Sequence, residues 1–122
     1  MYQKKNIRYK SIFKQDGQSE TIEYKGTGVL CHGETSHLNF EADGMTIDIG
    51  YNERGVTLKH GRSVLKFSFN KEVWNEYQLP YGHAMLKTKL LKFVVHDEHI
   101  QMKYELYDQT GLISTVYIYI SM

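Results

Sequence analysis

The sequence predicts an all-β fold, a single antiparallel up-and-down barrel of about eight to ten strands, and three observations carry that prediction. Apolar and polar residues alternate through nearly the whole chain, most cleanly in Ile100-Gln101-Met102-Lys103-Tyr104-Glu105-Leu106, so that every second side chain shares one face of a strand. Short Gly, Asn and Asp turns break this alternation at strand-length intervals. Ten of the 122 residues are Tyr, whose ring packs on a pleated face while its hydroxyl reaches water or a partner.

The turns set out the strands in order. Residues 7–14 form the first and end at Asp16-Gly17, a pair suited to the left-handed conformations of a tight hairpin. Residues 21–32 follow and end at Gly33, then 37–42 up to Asp43-Gly44, 45–51 up to Asn52 and Gly55, and 56–60 up to Gly61. The next strand, 63–69, stops at Asn70-Lys71. Alternation is unclear only in 72–82, where Val73, Trp74 and Tyr77 share a helical face but Pro80 limits any helix to one turn. Residues 85–95, 99–107 and 112–121 complete the order, with His96-Asp97-Glu98 and residues 108–111 as turns.

Closure of the sheet is expected from three details. Gly26 and Gly28 share the face of Ile22, Tyr24 and Leu30, where missing side chains permit a sharp bend. The apolar parity of 85–95 slips between Leu90 and Leu91, which marks a β-bulge. The last strand carries Val116, Ile118 and Ile120 on one face and Ile113, Tyr117 and Tyr119 on the other, so cover is expected on both sides, and pairing with the first strand would remove a hazardous edge.

Composition bounds the function. A chain of 122 residues fits one domain, 1–122, and 41% hydrophobic with 24% charged residues is ordinary for a globular protein. The net charge of +1 supplies no field for nucleic acid or an anionic membrane, and Lys4, Lys5, Arg8 and Lys10 read as a solvated edge strand. No apolar stretch has signal-peptide form or membrane-span length. The single Cys31 favours a reducing compartment, the cytoplasm.

Three segments in succession carry a resemblance: Thr21-Ile22-Glu23-Tyr24-Lys25-Gly26-Thr27-Gly28, then Tyr77-Gln78-Leu79-Pro80-Tyr81-Gly82 followed by Leu86-Lys87-Thr88, then residues 100–106. In this order and spacing the chain resembles the YwiB-like family of small uncharacterised bacterial proteins. The resemblance implies a calycin-like barrel, related in shape to lipocalins and fatty-acid-binding proteins, in a bacterial cytoplasmic protein, and it implies no activity. One departure stands at His60-Gly61-Arg62, where the family tends to place Arg on the other side of the Gly.

No segment spells out catalysis or a cofactor, and none is expected. His96 and His99 bracket Asp97-Glu98 in a turn with no evident third ligand, so no metal site is expected. Cys31 could meet His37 or His60 across neighbouring strands, but no nucleophile elbow or oxyanion loop accompanies it, and the pairs Glu41/Asp43 and Asp97/Glu98 sit at solvated turn edges. Gly26-Thr27-Gly28 lacks the third Gly and the helix of a dinucleotide site.

What remains is the barrel interior, which at this size is either solid or hollow enough for one small ligand. The leading expectation is a non-enzymatic protein that holds a small, largely apolar ligand there. Arg62, Tyr77, Tyr81 and Thr88 are the expected polar contacts, Phe67, Phe69 and Tyr104 the walls, and Trp74 a cap over a lid formed by 72–82. Tyr77 and Tyr81 as hydrophobic stoppers fit the pattern equally. The alternative is a protein-interaction module with a solid core, acting through its surface or its terminal strand, including homodimerisation.

Overall fold

Ten antiparallel strands form one sheet in the computed structural model, which describes residues 2–42 and 44–122. They are β1 (Tyr2–Gln15), β2 (Gln18–Cys31), β3 (Ser36–Ala42), β4 (Met45–Tyr51), β5 (Gly55–His60), β6 (Ser63–Ser68), β7 (Val73–Leu79), β8 (Gly82–His96), β9 (His99–Asp108) and β10 (Gly111–Ser121). No helix occurs among the described residues. Asp43, half of an expected turn and of the Glu41/Asp43 pair, lies outside them.

Segment 72–82 differs from expectation: it is neither a helical turn nor a lid but the β7–β8 hairpin, with Pro80-Tyr81 at its tip. Trp74 faces out and is half-exposed while Asn75 is buried, so a hydrophobic pattern alone reads this strand out of phase. The Asp16-Gly17 turn takes the expected form, with φ of 51° and 75° at the two residues. The expected bulge is present as a register shift between Leu90 and Lys92, and a second falls between Leu112 and Ser114.

The strand order is β6-β5-β4-β3-β2-β1-β10-β9-β8-β7, which makes a nearly closed barrel. The first and last strands pair from Arg8 with Ser121 to Lys14 with Thr115, as the apolar character of residues 116–120 requires. From Thr115 to Ser121 both edges of β10 are therefore occupied, so this stretch offers no free edge to a partner. Its outer face is not covered by a further layer. Tyr117 instead lies between the ammonium groups of Lys14 and Lys103, 5.2 and 5.0 Å from its ring centre, and Tyr119 is exposed.

The long β1–β2 hairpin joins the two halves of the barrel. Residues 28–31 of β2 carry β3, whereas residues 8–14 of β1 carry β10. The crossing point holds Gly26 and Gly28. A Cβ at Gly28 would lie 2.8 Å from the Asn39 carbonyl oxygen and 3.0 Å from Ile7 and Phe40, so only glycine lets β3 approach here; at Gly26 the Tyr24 ring occupies the space.

The core runs through the middle of the barrel. Ile7, Leu38, Ile49, Ile100, Val116, Ile118 and Ile120 are fully buried, each contributing about 1.5–3 kcal/mol of burial. Aromatic contacts link the strands across it: Tyr9 with Phe40 at 5.3 Å, Tyr24 with Phe40 at 6.2 Å, and Phe67 with Tyr104 at 4.7 Å. Met45, Phe69 and Leu91 are substantially exposed, Phe69 against the expectation of a wall and Leu91 because it sits in the β8 bulge.

The gap in the ladder falls between β6 and β7, and side chains bridge it. The Lys66 backbone N–H donates to Asn75 Oδ1 at 2.8 Å, and Asn75 Nδ2 donates to the Lys66 carbonyl at 3.1 Å. The Asn75 amide thus stands where a neighbouring strand's peptide group would be. Thr88 Oγ1 donates to the same carbonyl at 2.6 Å.

Candidate functional site: a cavity at one mouth of the barrel

The two ends of the barrel differ. At one, Tyr51, Phe93 and Phe69 pack in series, with ring centres 5.4 and 6.1 Å apart, and fill the opening. At the other, beside the β1–β2, β3–β4, β5–β6, β7–β8 and β9–β10 turns, the inward residues leave a cavity of about 240 Å³. The barrel is thus solid through its middle and hollow toward one mouth.

Inward positions at the strand ends build the walls. Phe13, Ile22, Ala42, Met45, Ile47, Leu58, Leu65, Leu106 and Ile118 provide apolar surface, and Tyr9, Ser11, His60, Ser63, Tyr77 and Tyr104 provide polar atoms. Among the described residues no Lys, Arg, Asp or Glu lines the cavity. Tyr9, Ser11 and Phe13 share one face of β1, so Ser11 occupies a position that the alternation marks as core. Its side chain is fully buried, and its Oγ is the one buried side-chain polar atom among the described residues with no hydrogen-bond partner. A hydroxyl left so costs about 1–3 kcal/mol.

Two of the phenols around it, Tyr9 and Tyr104, are held neutral. Burial pushes Tyr104 far above the ordinary phenol range, and the nearby Tyr9 and Tyr77 phenols oppose its ionisation further. Burial also raises Tyr9, and the Ser11 hydroxyl, close to it but short of hydrogen-bond geometry, offsets part of the rise. The cavity therefore presents neutral O–H groups, each able to donate and to accept.

The expected site residues divide by location. Tyr77 and Tyr104 line the cavity. Phe67 packs behind the Tyr104 ring. Arg62 and Tyr81 lie in the β5–β6 and β7–β8 turns at the same mouth, exposed rather than lining it, Tyr81 at 87%. Thr88 is spent on the β6–β7 gap, 1% exposed and bonded to Lys66. Phe69 belongs to the filled end. Trp74 lies on the outer face, where the Lys87 ammonium sits 5.7 Å from its ring centre, and so caps nothing. Tyr9, Ser11, His60 and Ser63 complete the polar set; Tyr9 faces inward as the alternation expects, whereas Ser11, His60 and Ser63 were not expected as contacts, and the signal for Ser11 was a small polar residue in an apolar register.

Two other clusters are less suited to a ligand. An outer groove of about 450 Å³ runs across β2, β1, β10 and β9 between Arg8, Lys10, Glu23, Lys25 and His99; it is larger but open to water, and the Lys10–Glu23 ion pair within it is 3.8 Å long. Cys31 and His37 face each other across β2 and β3, and His37 Nδ1 lies 3.0 Å from Asp48 Oδ1. No hydrogen bond joins the thiol to the imidazole among the described residues, and Gly50 makes room for the ring on the far side, over β4. Among the described residues, no three His, Cys, Asp or Glu side chains gather as metal ligands, and no helix is long and apolar enough to cross a membrane.

The fold has a solved counterpart. The crystal structure of ywiB protein from Bacillus subtilis superposes with a TM-score of 0.75 at 20% identity, over 98% of this chain and 92% of that one, a likeness of fold. No curated protein matches the chain. A family model described as a domain of unknown function (DUF1934) matches residues 7–120, and with nearly every strand inside that match the chain belongs to this family, the YwiB-like one that its second, seventh, eighth and ninth strands resemble.

Proposed function

We propose that this protein is a non-enzymatic small-molecule binder that holds a largely apolar ligand inside the mouth of its barrel. One observation carries the reading: a cavity of about 240 Å³ whose apolar walls converge on a few buried hydroxyls, one of them without a partner. Small-molecule sites are built this way, from apolar surface and a few placed polar groups. An apolar cavity of about 150 Å³ accepts benzene, so this one suits roughly ten non-hydrogen atoms.

The polar contacts of this reading are Tyr9, Ser11, Tyr77 and Tyr104, with His60 and Ser63 at the rim; Arg62 and Tyr81 are placed to meet a ligand that projects from the mouth. A binding role fits the chemistry better than catalysis. Burial pushes the Tyr9 and Tyr104 phenols up, away from neutral titration, and among the described residues no carboxylate lines the cavity to pair with His60, so acid–base work has no second partner among them. The lone thiol Cys31 supports a reducing, cytoplasmic setting.

Native mass spectrometry of protein purified from its own host tests the reading. A bound species that leaves on denaturation is expected. Ligand-free protein from the host, together with cavity methyl groups that respond to no added apolar compound, would retire it.

A further inference from the structure

We propose that the cavity selects an uncharged molecule of about ten non-hydrogen atoms, apolar except for one hydrogen-bonding head such as a ketone, amide, alcohol or phenol, which enters head first to reach Ser11. The inference rests on the binding reading above and names the ligand's chemical class.

Size sets the first limit, through the cavity volume of about 240 Å³. Charge sets the second. A carboxylate or ammonium taken into a low-dielectric pocket needs a charged partner, and the lining among the described residues offers none, His60 being exposed at the rim. A fatty or aromatic acid bound head-in would therefore leave its charge unpaired. Direction sets the third. The polar atom in need of a partner is a deep one: Ser11 is fully buried with its Oγ unpartnered, and Tyr104, 3% exposed, lines the same cavity. A ligand that placed its head at the mouth would leave that hydroxyl unsatisfied and set its own apolar tail against the phenols. A neutral acceptor or donor placed deep satisfies Ser11, and the remaining atoms meet Ile22, Leu58, Leu65, Leu106 and Ile118.

Acetophenone and benzoate, equal in size but neutral and ionised at pH 7.5, separate the possibilities, with toluene as a probe that has no head. Each is titrated into the folded protein while the methyl resonances of Leu58, Leu65 and Ile118 are followed by NMR. Acetophenone is expected to bind at least tenfold more tightly than benzoate. Ser11→Ala is expected to weaken acetophenone about five- to tenfold, the worth of one hydrogen bond, to leave toluene unchanged, and to raise the Tm of the ligand-free protein. Ala42→Leu, which fills the cavity, is expected to abolish acetophenone and toluene binding while the spectrum stays dispersed. Benzoate that matches acetophenone and ignores Ser11→Ala would mean a head held at the rim, beside His60 and Arg62, and would overturn the inference while leaving the binding reading intact. Acetophenone unaffected by Ser11→Ala would overturn it too. Failure of acetophenone and toluene alike to move the cavity methyls would remove the binding reading itself.

Discussion

The two junctions that close this barrel solve the same problem by different means. Where β1 meets β10, backbone pairs with backbone from Arg8–Ser121 to Lys14–Thr115, and side-chain identity matters only through the faces it covers. Where β6 meets β7, one side chain stands in for a strand: Asn75 answers both polar groups of Lys66, and Thr88 adds a third bond. A ladder spreads its energy over many equivalent groups, whereas the gap concentrates it in two residues. The first is robust to substitution, the second is not.

That contrast sets an order of effects. Asn75→Ala is expected to be the most damaging, about 3 kcal/mol by denaturant unfolding, because it strands the Lys66 N–H in a partly buried place and removes a donor from its carbonyl. A loss below about 1 kcal/mol would shift the credit for this junction to the Phe67–Tyr104 packing beneath it. Thr88→Val keeps the shape and deletes the 2.6 Å bond, at an expected cost of about 1–1.5 kcal/mol.

Alkali probes the same side of the barrel. Tyr104 holds its proton more tightly folded than unfolded, so its contribution is fully present below about pH 10, where a free phenol titrates, and is lost as pH rises beyond that. Tyr9 acts in the same direction. Stability is therefore expected to fall above about pH 10, and Tyr104→Phe to flatten that fall; an equally steep decline in the variant would assign it elsewhere. Smallest of all, Lys10→Ala at the ladder-closed junction removes only an exposed ion pair with Glu23 and is expected to stay within about 0.5 kcal/mol. A larger loss there would show that the ladder too depends on particular side chains. Hydrogen exchange reads the comparison without mutation: amides of β6 that face the gap are expected to exchange before those joining β1 to β10.

Alternation, turns, the Gly26–Gly28 crossing and the β8 bulge were legible in the sequence because each follows from local geometry of the chain. The joining of the terminal strands was legible from the apolar face of residues 116–120 alone. The β6–β7 gap was not, since nothing in a strand's own pattern says that its neighbour will be a side chain; Asn75 carries no signal of its own, and Thr88, expected as a polar contact of the ligand, is spent on the gap instead. The same limit governs the site. Tyr77 and Tyr104 are recoverable from parity and from their place near one end, but Arg62, Tyr81 and Trp74 were drawn toward the mouth by the belief that residues 72–82 form a lid. Ser11 was visible as a polar residue between Tyr9 and Phe13, yet its lack of a partner depends on neighbours from β9 and β10 that no local window includes.

The pairing of β1 with β10 also has a kinetic side. Phe13 meets Val116, so this contact closes a loop of roughly a hundred residues before it returns any energy, while the hairpins within β1–β6 and within β7–β10 close short ones. Those two meanders are the parts able to form early, and their joining through β1 and β10 comes last. Folding should then be slow, in milliseconds to seconds, with the interior sealed only as the chain's two ends find each other.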